Sequence, residues 1–170
     1  IVNAKLKHHI TLNSLESITL HELGLSDKDE ALPFFAPTGR NQGIGSFDAD
    51  TMSKGNVEAG KLQLVKGDFY FQEKNISNIG LVKIDVEGYE KLALAGLVET
   101  IERNRPILVC EVTYGKQLSF SSRDELLSHL PSDYNLYSFD TRKFDGSKAR
   151  RKDNKARKSG KYQLIPFTKW

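Results

Sequence analysis

Three ionisable side chains stand at alternate positions of one short segment, at Lys83, Asp85 and Glu87. The apolar stretch over residues 80–85 predicts a buried strand, and a helical pattern follows from Gly88. Because the ligands of open α/β sheets bind outside the carboxyl ends of the strands, we expect Asp85 to lie in such a crevice. A carboxylate in that position acts as a general base or clamps a substrate.

Two interpretations of this junction stay open. Alternation along a strand places Lys83 and Asp85 on one side, where they could form a purely structural salt bridge while Glu87 caps the helix. In the functional interpretation, Lys83 keeps Asp85 ionised while partial burial raises its pKa. Glu111 ends the next predicted strand and is expected to line the same crevice. Two carboxylates on adjacent strand tips favour the functional interpretation.

Other reactive residue types carry weaker signals. The single cysteine, Cys110, lies in an apolar run and is expected to be a buried, inert thiol. His8 and His9 are adjacent on a predicted helix and cannot share a face, so the histidines predict no metal site. His21 falls within a predicted strand and is expected on a packed or surface face.

Glycine-containing loops match none of the common nucleotide-binding motifs. The segment NQGIGS at residues 41–46 lacks the third glycine of a dinucleotide-binding fingerprint, and no helical pattern follows it at once. Neither a GxxxxGK[ST] phosphate loop nor a G-x-S-x-G nucleophile elbow occurs. These motifs therefore do not indicate the enzyme classes that depend on them.

The elements that position the ionisable residues alternate between strand and helix in the middle of the chain. The pattern predicts helices at 2–13, 88–103 and 123–130, the last with Ser122 as N-cap, and strands at 18–25, 32–36, 62–71, 80–85, 106–112, 134–139 and 162–167. Residues 37–60 are predicted to be loop-rich. The continuously apolar strands 80–85 and 106–112 suit a parallel sheet covered on both faces. The last two strands have no helical pattern between them, which predicts an antiparallel edge pair in this α/β fold.

Composition fits a globular domain with one biased segment. The chain has 170 residues and a net charge of +3, but residues 142–161 alone carry ten Lys and Arg against two Asp. This basic loop is either a solvated excursion or a site for an anionic partner, such as nucleic acid, a phosphorylated glycan or a membrane surface. No apolar run reaches transmembrane length, no signal peptide is visible and no disulfide can form, so a cytoplasmic location is expected.

The run from Leu81 to Val112 closely resembles the FkbM family of S-adenosylmethionine-dependent methyltransferases. The matching residues are Lys83-Ile84-Asp85, Glu87-Gly88, Glu90, Leu94-Ala95-Gly96, Arg105-Pro106 and Glu111. Weaker matches lie upstream, in residues 18–27 (ITLHELGLSD) and in Asn41-x-Gly43 followed by Ser46. Together the resemblance covers residues 1–140.

The resemblance implies a class I methyltransferase fold, Rossmann-like, with a mostly parallel sheet and an antiparallel strand near its C-terminal edge. It implies methylation of a hydroxyl on a glycan or similar hydroxylated metabolite, with S-adenosylmethionine as cofactor. The catalytic residues that it implies are Asp85, Glu111 and Lys83. Those implied at the adenine of the cofactor are Gly24, Leu25 and Ser26. Those implied at the substrate are Glu87, Asn41 and Ser46.

The sequence departs from the family in one respect. In the family, a first strand with a glycine-rich loop and a second strand with a terminal acidic residue hold the methionine and ribose of the cofactor, and neither occurs here. Residues 1–170 are therefore expected to be part of a methyltransferase domain whose first two strands lie upstream. Without them, the strand at 80–85 would be a hydrophobic edge. The alternative is a non-catalytic, methyltransferase-like module that binds an anionic partner through the basic loop.

Overall fold

The computed structural model describes residues 2–38, 45–47, 49, 55–112, 119–140 and 163–168. Its helices are α1 (Val2–Leu12), α2 (Gly67–Glu73), α3 (Glu90–Ala95), α4 (Val98–Asn104) and α5 (Arg123–Ser128). Its strands are β1 (Gly24–Ser26), β2 (Glu30–Pro37), β3 (Asn56–Lys66), β4 (Leu81–Ile84), β5 (Ile107–Cys110), β6 (Tyr137–Asp140) and β7 (Gln163–Pro166). The chain divides into two compact units, Ile1–Phe120 and Ser121–Trp170. Across these described ranges, no helix has the length and apolar character needed to cross a membrane.

The first sheet is mixed and has the strand order β1-β3-β2. Strand β1 runs parallel to β3, whereas β2 pairs with β3 in the antiparallel direction. Leu64 and Phe35 bury their side chains here and belong to the core of the first unit. The strand predicted at 32–36 is confirmed by β2. The strand predicted at 18–25 is wrong for most of its length, because pairing with β3 begins only at Gly24.

Strand β3 begins and ends earlier than the sequence predicts. Residues 56–60, placed in a loop by the sequence, belong to β3, and the second half of the predicted stretch 62–71 is helical from Gly67 onward. The carboxylate of Asp29 accepts a hydrogen bond of 2.7 Å from the amide of Lys66, the last residue of β3. A long-range contact therefore marks the end of the strand, and local β propensity does not reveal it.

The helix predicted at 88–103 is divided into α3 and α4 at Gly96 and Leu97. A Cβ atom added to Gly96 would lie 1.8 Å from the carbonyl oxygen of Ser26, so this turn packs directly against the backbone of β1. The carbonyl oxygen of Gly96 also accepts a hydrogen bond of 2.7 Å from the amide of Asp68. The break thus places β1 and α2 against the two helices that follow β4.

Strands β4 and β5 form the predicted parallel pair, with Leu81 opposite Ile107 and Ile84 opposite Cys110. The expectation that both faces are covered is wrong for the part of the chain that the structure describes. Leu81 is 58% exposed and Ile107 is 67% exposed. Partners in a parallel ladder point to the same side of a sheet, so these two side chains share one exposed apolar face.

The second unit contains α5 and the pair β6–β7. The hydroxyl of Ser122 accepts a hydrogen bond of 3.1 Å from the amide of Glu125, which confirms the predicted N-cap. Strands β6 and β7 pair in the antiparallel direction, with Tyr137 opposite Pro166, as predicted. The basic loop at 142–161 lies outside the described residues.

The fold is therefore mixed α/β. The described strands form three separate sheets, of which one is mixed, one parallel and one antiparallel. A single, mostly parallel, Rossmann-like sheet is not confirmed.

Candidate functional site

The turn after β4 carries acidic side chains and contains two consecutive residues with positive φ. Glu87 has a φ of 55° and Gly88 a φ of 107°. A left-handed conformation at a residue other than glycine costs about 1–2 kcal/mol, and the φ of Gly88 requires a residue without Cβ. Helix α3 begins beyond this turn, with Tyr89 at its N-cap position and no side-chain cap. The N-cap residue of α3 is therefore Tyr89, and the capping role considered for Glu87 is not confirmed.

Buried Glu90 stabilises this turn. Its side chain is fully buried, and one carboxylate oxygen accepts a hydrogen bond of 2.8 Å from the amide of Gly88. The other oxygen accepts a hydrogen bond of 3.2 Å from the hydroxyl of Ser119. Hydrogen bonds to a buried carboxylate contribute about 1.5–3 kcal/mol each, which is enough to offset the strain at Glu87.

Lys83 and Asp85 form the ion pair that alternation along the strand allows. The ammonium group of Lys83 lies 2.6 Å from Oδ2 of Asp85, and both side chains are largely exposed. An exposed pair of this kind contributes about 0–1 kcal/mol to stability. Its main effect is local, because the hydrogen bond from Lys83 lowers the pKa of Asp85. Asp85 is thus held in the ionised form.

Glu111 lies beside Asp85 because the parallel pairing continues past β4. The amide of Glu111 donates a hydrogen bond of 2.9 Å to the carbonyl oxygen of Ile84. A hydrogen bond between the two carboxyl groups raises the pKa of Glu111, and burial and the negative charges nearby raise it further. The same hydrogen bond is the second cause that lowers the pKa of Asp85. The same contact therefore raises the pKa of Glu111 and lowers that of Asp85.

The predicted catalytic residues are thus together, and Glu87 joins them. Carboxylate oxygens of Asp85, Glu87 and Glu111 all lie within 4.8 Å of one another. Such oxygens can accept hydrogen bonds from the hydroxyl groups of a ligand, or can coordinate a hard divalent cation. The spacing of the histidines does not reveal this acidic cluster, whose members lie on the turn after β4 and just beyond β5.

A cavity of about 290 Å³ opens beside the turn, within the first unit. Asp85, Val86 and Glu87 form one side of it, and Gly24 at the start of β1 forms another. The remaining lining residues are Asn3, His21, Glu22, Leu23, Phe34, Gly45, Phe47, Leu62 and Gln63. The cavity therefore combines carboxylates and amides with aromatic faces, as ligand pockets with a few orienting polar groups do.

Aromatic side chains form one wall of the cavity. The rings of Phe34 and Phe47 meet edge to face with centroids 5.5 Å apart, and Phe47 lies 4.8 Å from the ring of Tyr89 behind it. A Cβ atom on Gly45 would lie 2.2 Å from Cζ of Phe34, so the absence of a side chain there lets the ring approach the backbone closely. The sequence analysis did not find this wall, because Phe34 and Phe47 belong to different segments and match no motif.

His21 is the second feature that the sequence analysis did not find. Its imidazole lines the cavity, and its Nδ1 lies 2.7 Å from the phenol oxygen of Tyr70 on α2. The neighbouring Glu22 also lines the cavity and forms an ion pair with Lys7 of α1. The residues from 18 to 23 were predicted as a strand, and a strand assignment gave His21 no reason to face a ligand.

The residues predicted to hold adenine occupy different positions. Gly24 lines the cavity, whereas Ser26 is fully buried and its hydroxyl is 3.0 Å from the phenol oxygen of Tyr89. Leu25, between them, is partly buried and is not among the residues that line the cavity. Ser26 therefore links β1 to α3, which fixes the position of Gly24.

Of the two residues after β2 that are predicted at the substrate, only Ser46 belongs to the described residues. Ser46 is buried and exchanges two backbone hydrogen bonds with Phe35, of 2.8 and 3.0 Å. This bridge places the flanking residues Gly45 and Phe47 on the cavity wall. Asn41 lies outside the described residues.

Cys110 is not a nucleophile in this arrangement. Burial raises the pKa of its thiol to about 12, and the carboxylates of Glu90, Glu111 and Asp85 act in the same direction. A thiol with such a pKa stays protonated and reacts slowly. The raised pKa agrees with the predicted inert thiol, and Cys110 is partly rather than fully buried.

Comparison with known proteins gives one match. The family model described as the methyltransferase FkbM domain matches residues 2–139. The matched range contains the β4 turn, Glu111 and every residue that lines the cavity. No curated protein and no solved structure matches the chain.

Proposed function

The chain belongs to the FkbM methyltransferase domain family, and from this premise we propose that it transfers a methyl group from S-adenosylmethionine to a hydroxyl of a glycan or a similar hydroxylated metabolite. The observation that carries the proposal is the cavity in which Asp85 and Glu87, at the end of β4, face Gly24 and the aromatic wall. Aromatic faces pack against the apolar faces of sugar rings, while carboxylates accept hydrogen bonds from their hydroxyl groups.

The residues around the cavity suit a cationic cofactor with a flat base. Glu22, Asp85 and Glu87 give the lining an acidic character that attracts a sulfonium, and Phe34 and Phe47 offer a surface for an adenine ring. When bound, S-adenosylmethionine supplies an electrophilic methyl group. The residues proposed to contact it are Gly24 and Glu22 near the start of β1, where a glycine leaves the backbone accessible.

Methyl transfer to a hydroxyl is an in-line displacement and depends on close alignment of the acceptor oxygen. Asp85 is suited to orient the acceptor, because Lys83 holds its carboxylate ionised and therefore ready to accept a hydrogen bond from a hydroxyl. The hydrogen bond between Glu111 and Asp85 restricts the carboxylate to one orientation. In this mechanism Asp85 binds and orients, and its lowered pKa makes it a weak base.

The first test is binding. Isothermal titration with S-adenosylmethionine is to be made with these 170 residues and with any further residues that the gene encodes before Ile1. We expect binding by at least one of the two forms. If neither form binds S-adenosylmethionine, the proposal is wrong.

The second test is methyl transfer from labelled S-adenosylmethionine to a panel of methyl glycosides. We expect Asp85→Asn to lower kcat by about 100-fold, as loss of alignment does, while binding of the cofactor changes little. Glu111→Gln keeps a donor toward Asp85 and is expected to have a much smaller effect. Asp124→Asn is the matched control, since Asp124 is 92% exposed on α5 in the second unit. Equal activities of the Asp85 and Asp124 variants would contradict the assigned role.

A further inference from the structure

His21 lies on the cavity wall, and the secondary structure of its own segment does not determine the direction of its side chain. The residues from 18 to 23 have no regular secondary structure, so no helix or strand fixes the direction of the imidazole. The ring is held instead by Tyr70. The phenol oxygen lies 2.7 Å from Nδ1, and the two rings are perpendicular with centroids 5.5 Å apart. One hydrogen bond and one edge-on contact therefore orient a solvent-accessible imidazole toward a ligand cavity.

Tyr70 is itself rigidly connected to the turn that carries Asp85. It lies on α2, whose Asp68 accepts hydrogen bonds from the amides of Glu99 and Thr100 at the start of α4, at 3.1 and 2.8 Å. The amide of Asp68 donates to Gly96, between α3 and α4. Helix α3 follows the Asp85 turn directly. Asp85 and Tyr70 thus belong to one packed body, and Tyr70 fixes His21 relative to Asp85.

Two of the three carboxyl groups that line the cavity are poorly suited to remove a proton from a hydroxyl. Lys83 and Glu111 lower the pKa of Asp85, which weakens it as a base. Glu22 is ion-paired with Lys7, and this hydrogen bond lowers its pKa as well. A neutral imidazole is the side chain best matched to proton abstraction near neutral pH.

We propose that His21 is the general base of the reaction and that Tyr70 is its positioning residue; this inference rests on the proposed methyl transfer. The acceptor hydroxyl donates its proton to Nε2 of His21 while its oxygen attacks the methyl carbon. The carbon–sulfur bond breaks, and its electron pair stays on sulfur. The products are the methyl ether, the neutral thioether and a protonated His21, which returns its proton to solvent.

The proposal requires one tautomer. Nδ1 must carry the hydrogen and donate it to the oxygen of Tyr70, because only then does Nε2 offer a lone pair to the acceptor. The opposite arrangement, in which Tyr70 donates to Nδ1, places the hydrogen on Nε2 and excludes it as a base. The other ionisable groups around the ring are Glu22 on its own segment, Lys74 over the ring of Tyr70, and the carboxylates of Asp85 and Glu87 across the cavity.

Nitrogen-15 NMR of the imidazole decides the tautomer without any acceptor. Signals of His21 are assigned from their loss in His21→Asn, and the long-range coupling pattern of the neutral ring shows which nitrogen carries the hydrogen. We expect the Nδ1–H form in the wild-type protein and a shift toward a tautomer mixture in Tyr70→Phe. A neutral ring protonated on Nε2 overturns the proposal.

Kinetics give the second readout. We expect His21→Asn to lower kcat by about 10²–10⁴-fold, with unchanged affinity for S-adenosylmethionine and with loss of the acidic limb of the pH profile. Tyr70→Phe is expected to lower kcat less and to displace that limb. His8→Asn, an exposed residue of α1, is the matched control and is expected to behave as wild type.

The two proposals fail in distinguishable ways. Absence of S-adenosylmethionine binding by the wild-type protein removes the methyl transfer itself. Wild-type turnover and pH profile in His21→Asn, with the cofactor bound, remove the role of His21 and leave the methyl transfer intact.

Discussion

The contact between Gly96 and β1 gives the sharpest stability prediction. In Gly96→Ala the new methyl group would lie 1.8 Å from the carbonyl oxygen and 2.6 Å from the carbonyl carbon of Ser26. The backbone of Gly96 is in the right-handed helical region, with φ −79° and ψ −6°, so alanine meets no conformational strain there. In the folded state, the effect of the substitution is therefore one of space.

The clash cannot be relieved by rotating a side chain. Ser26 is held by parallel pairing with Lys66 and by the hydrogen bond to Tyr89, so β1 must move as a unit. Overpacking of this kind costs about 1–3 kcal/mol, and a backbone partner places Gly96→Ala at the upper end. Alanine regains about 0.4–1 kcal/mol by restricting the unfolded chain. The expected net loss is about 2 kcal/mol, which lowers Tm by roughly 4–8 °C for a chain of this size.

Gly80→Ala is the matched control. A Cβ atom at Gly80 meets no atom within 4 Å, and the φ of Gly80 lies outside the left-handed range. The same chemical change is therefore expected to leave Tm unchanged or to raise it slightly. Thermal unfolding followed by circular dichroism measures both variants. If Gly96→Ala melts together with Gly80→Ala, the close approach of this turn to β1 is not a feature of the folded protein.

Four further predictions concern other parts of the chain. Ser122→Ala removes the cap from the amide of Glu125 and is expected to lower the free energy of unfolding by about 1 kcal/mol, whereas Ser122→Asp retains it in urea titrations. The raised pKa of Glu111 stabilises the folded state at low pH, and this contribution is lost as the pH rises through the folded-state pKa. When Tm is measured against pH, the wild-type protein should show that loss and Glu111→Gln should not. The lowered pKa of Asp85 has the opposite effect, because its contribution to the stability of the folded state is lost as the pH falls through the folded-state pKa. In Asp85→Asn, Tm should therefore decrease less at acidic pH than it does in the wild-type protein. If the basic loop at 142–161 binds an anionic partner, its affinity for heparin should fall steeply as the salt concentration rises. Binding should disappear when the Lys and Arg residues of the loop are changed to Gln. Binding that does not depend on salt would contradict that role.

Local patterns predicted the elements whose formation depends on near neighbours. The parallel pair β4–β5 was recognisable from two apolar runs separated by a helical pattern, and the antiparallel pair β6–β7 from the absence of such a pattern. The cap at Ser122 was recognisable because a serine precedes a helical period. The proximity of Asp85 and Glu111 followed from parallel strands ending at one edge of a sheet.

Features that depend on contacts between distant segments were not predictable in this way. The break at Gly96 exists because β1 and α2 pack against that turn, and neither partner is visible in the local pattern of the helix. The burial of the β4–β5 strands was overestimated, because an apolar sequence shows what a strand can bury and not what covers it. His21 was assigned to a strand, although only its contact with Tyr70, 49 residues away, gives it a direction.

The sequence by itself determined the family and the chemical groups of the site, because the order Lys83, Asp85, Glu87 and Gly88 carries the resemblance and places ionisable groups at alternate positions where a strand turns into a helix. These are consequences of local geometry, where side-chain alternation and backbone sterics act within a few residues. The tertiary structure alone decided which groups share a cavity. Side chains far apart in the sequence meet only when packed elements bring them together, and the roles of Asp85 and His21 depend on that packing.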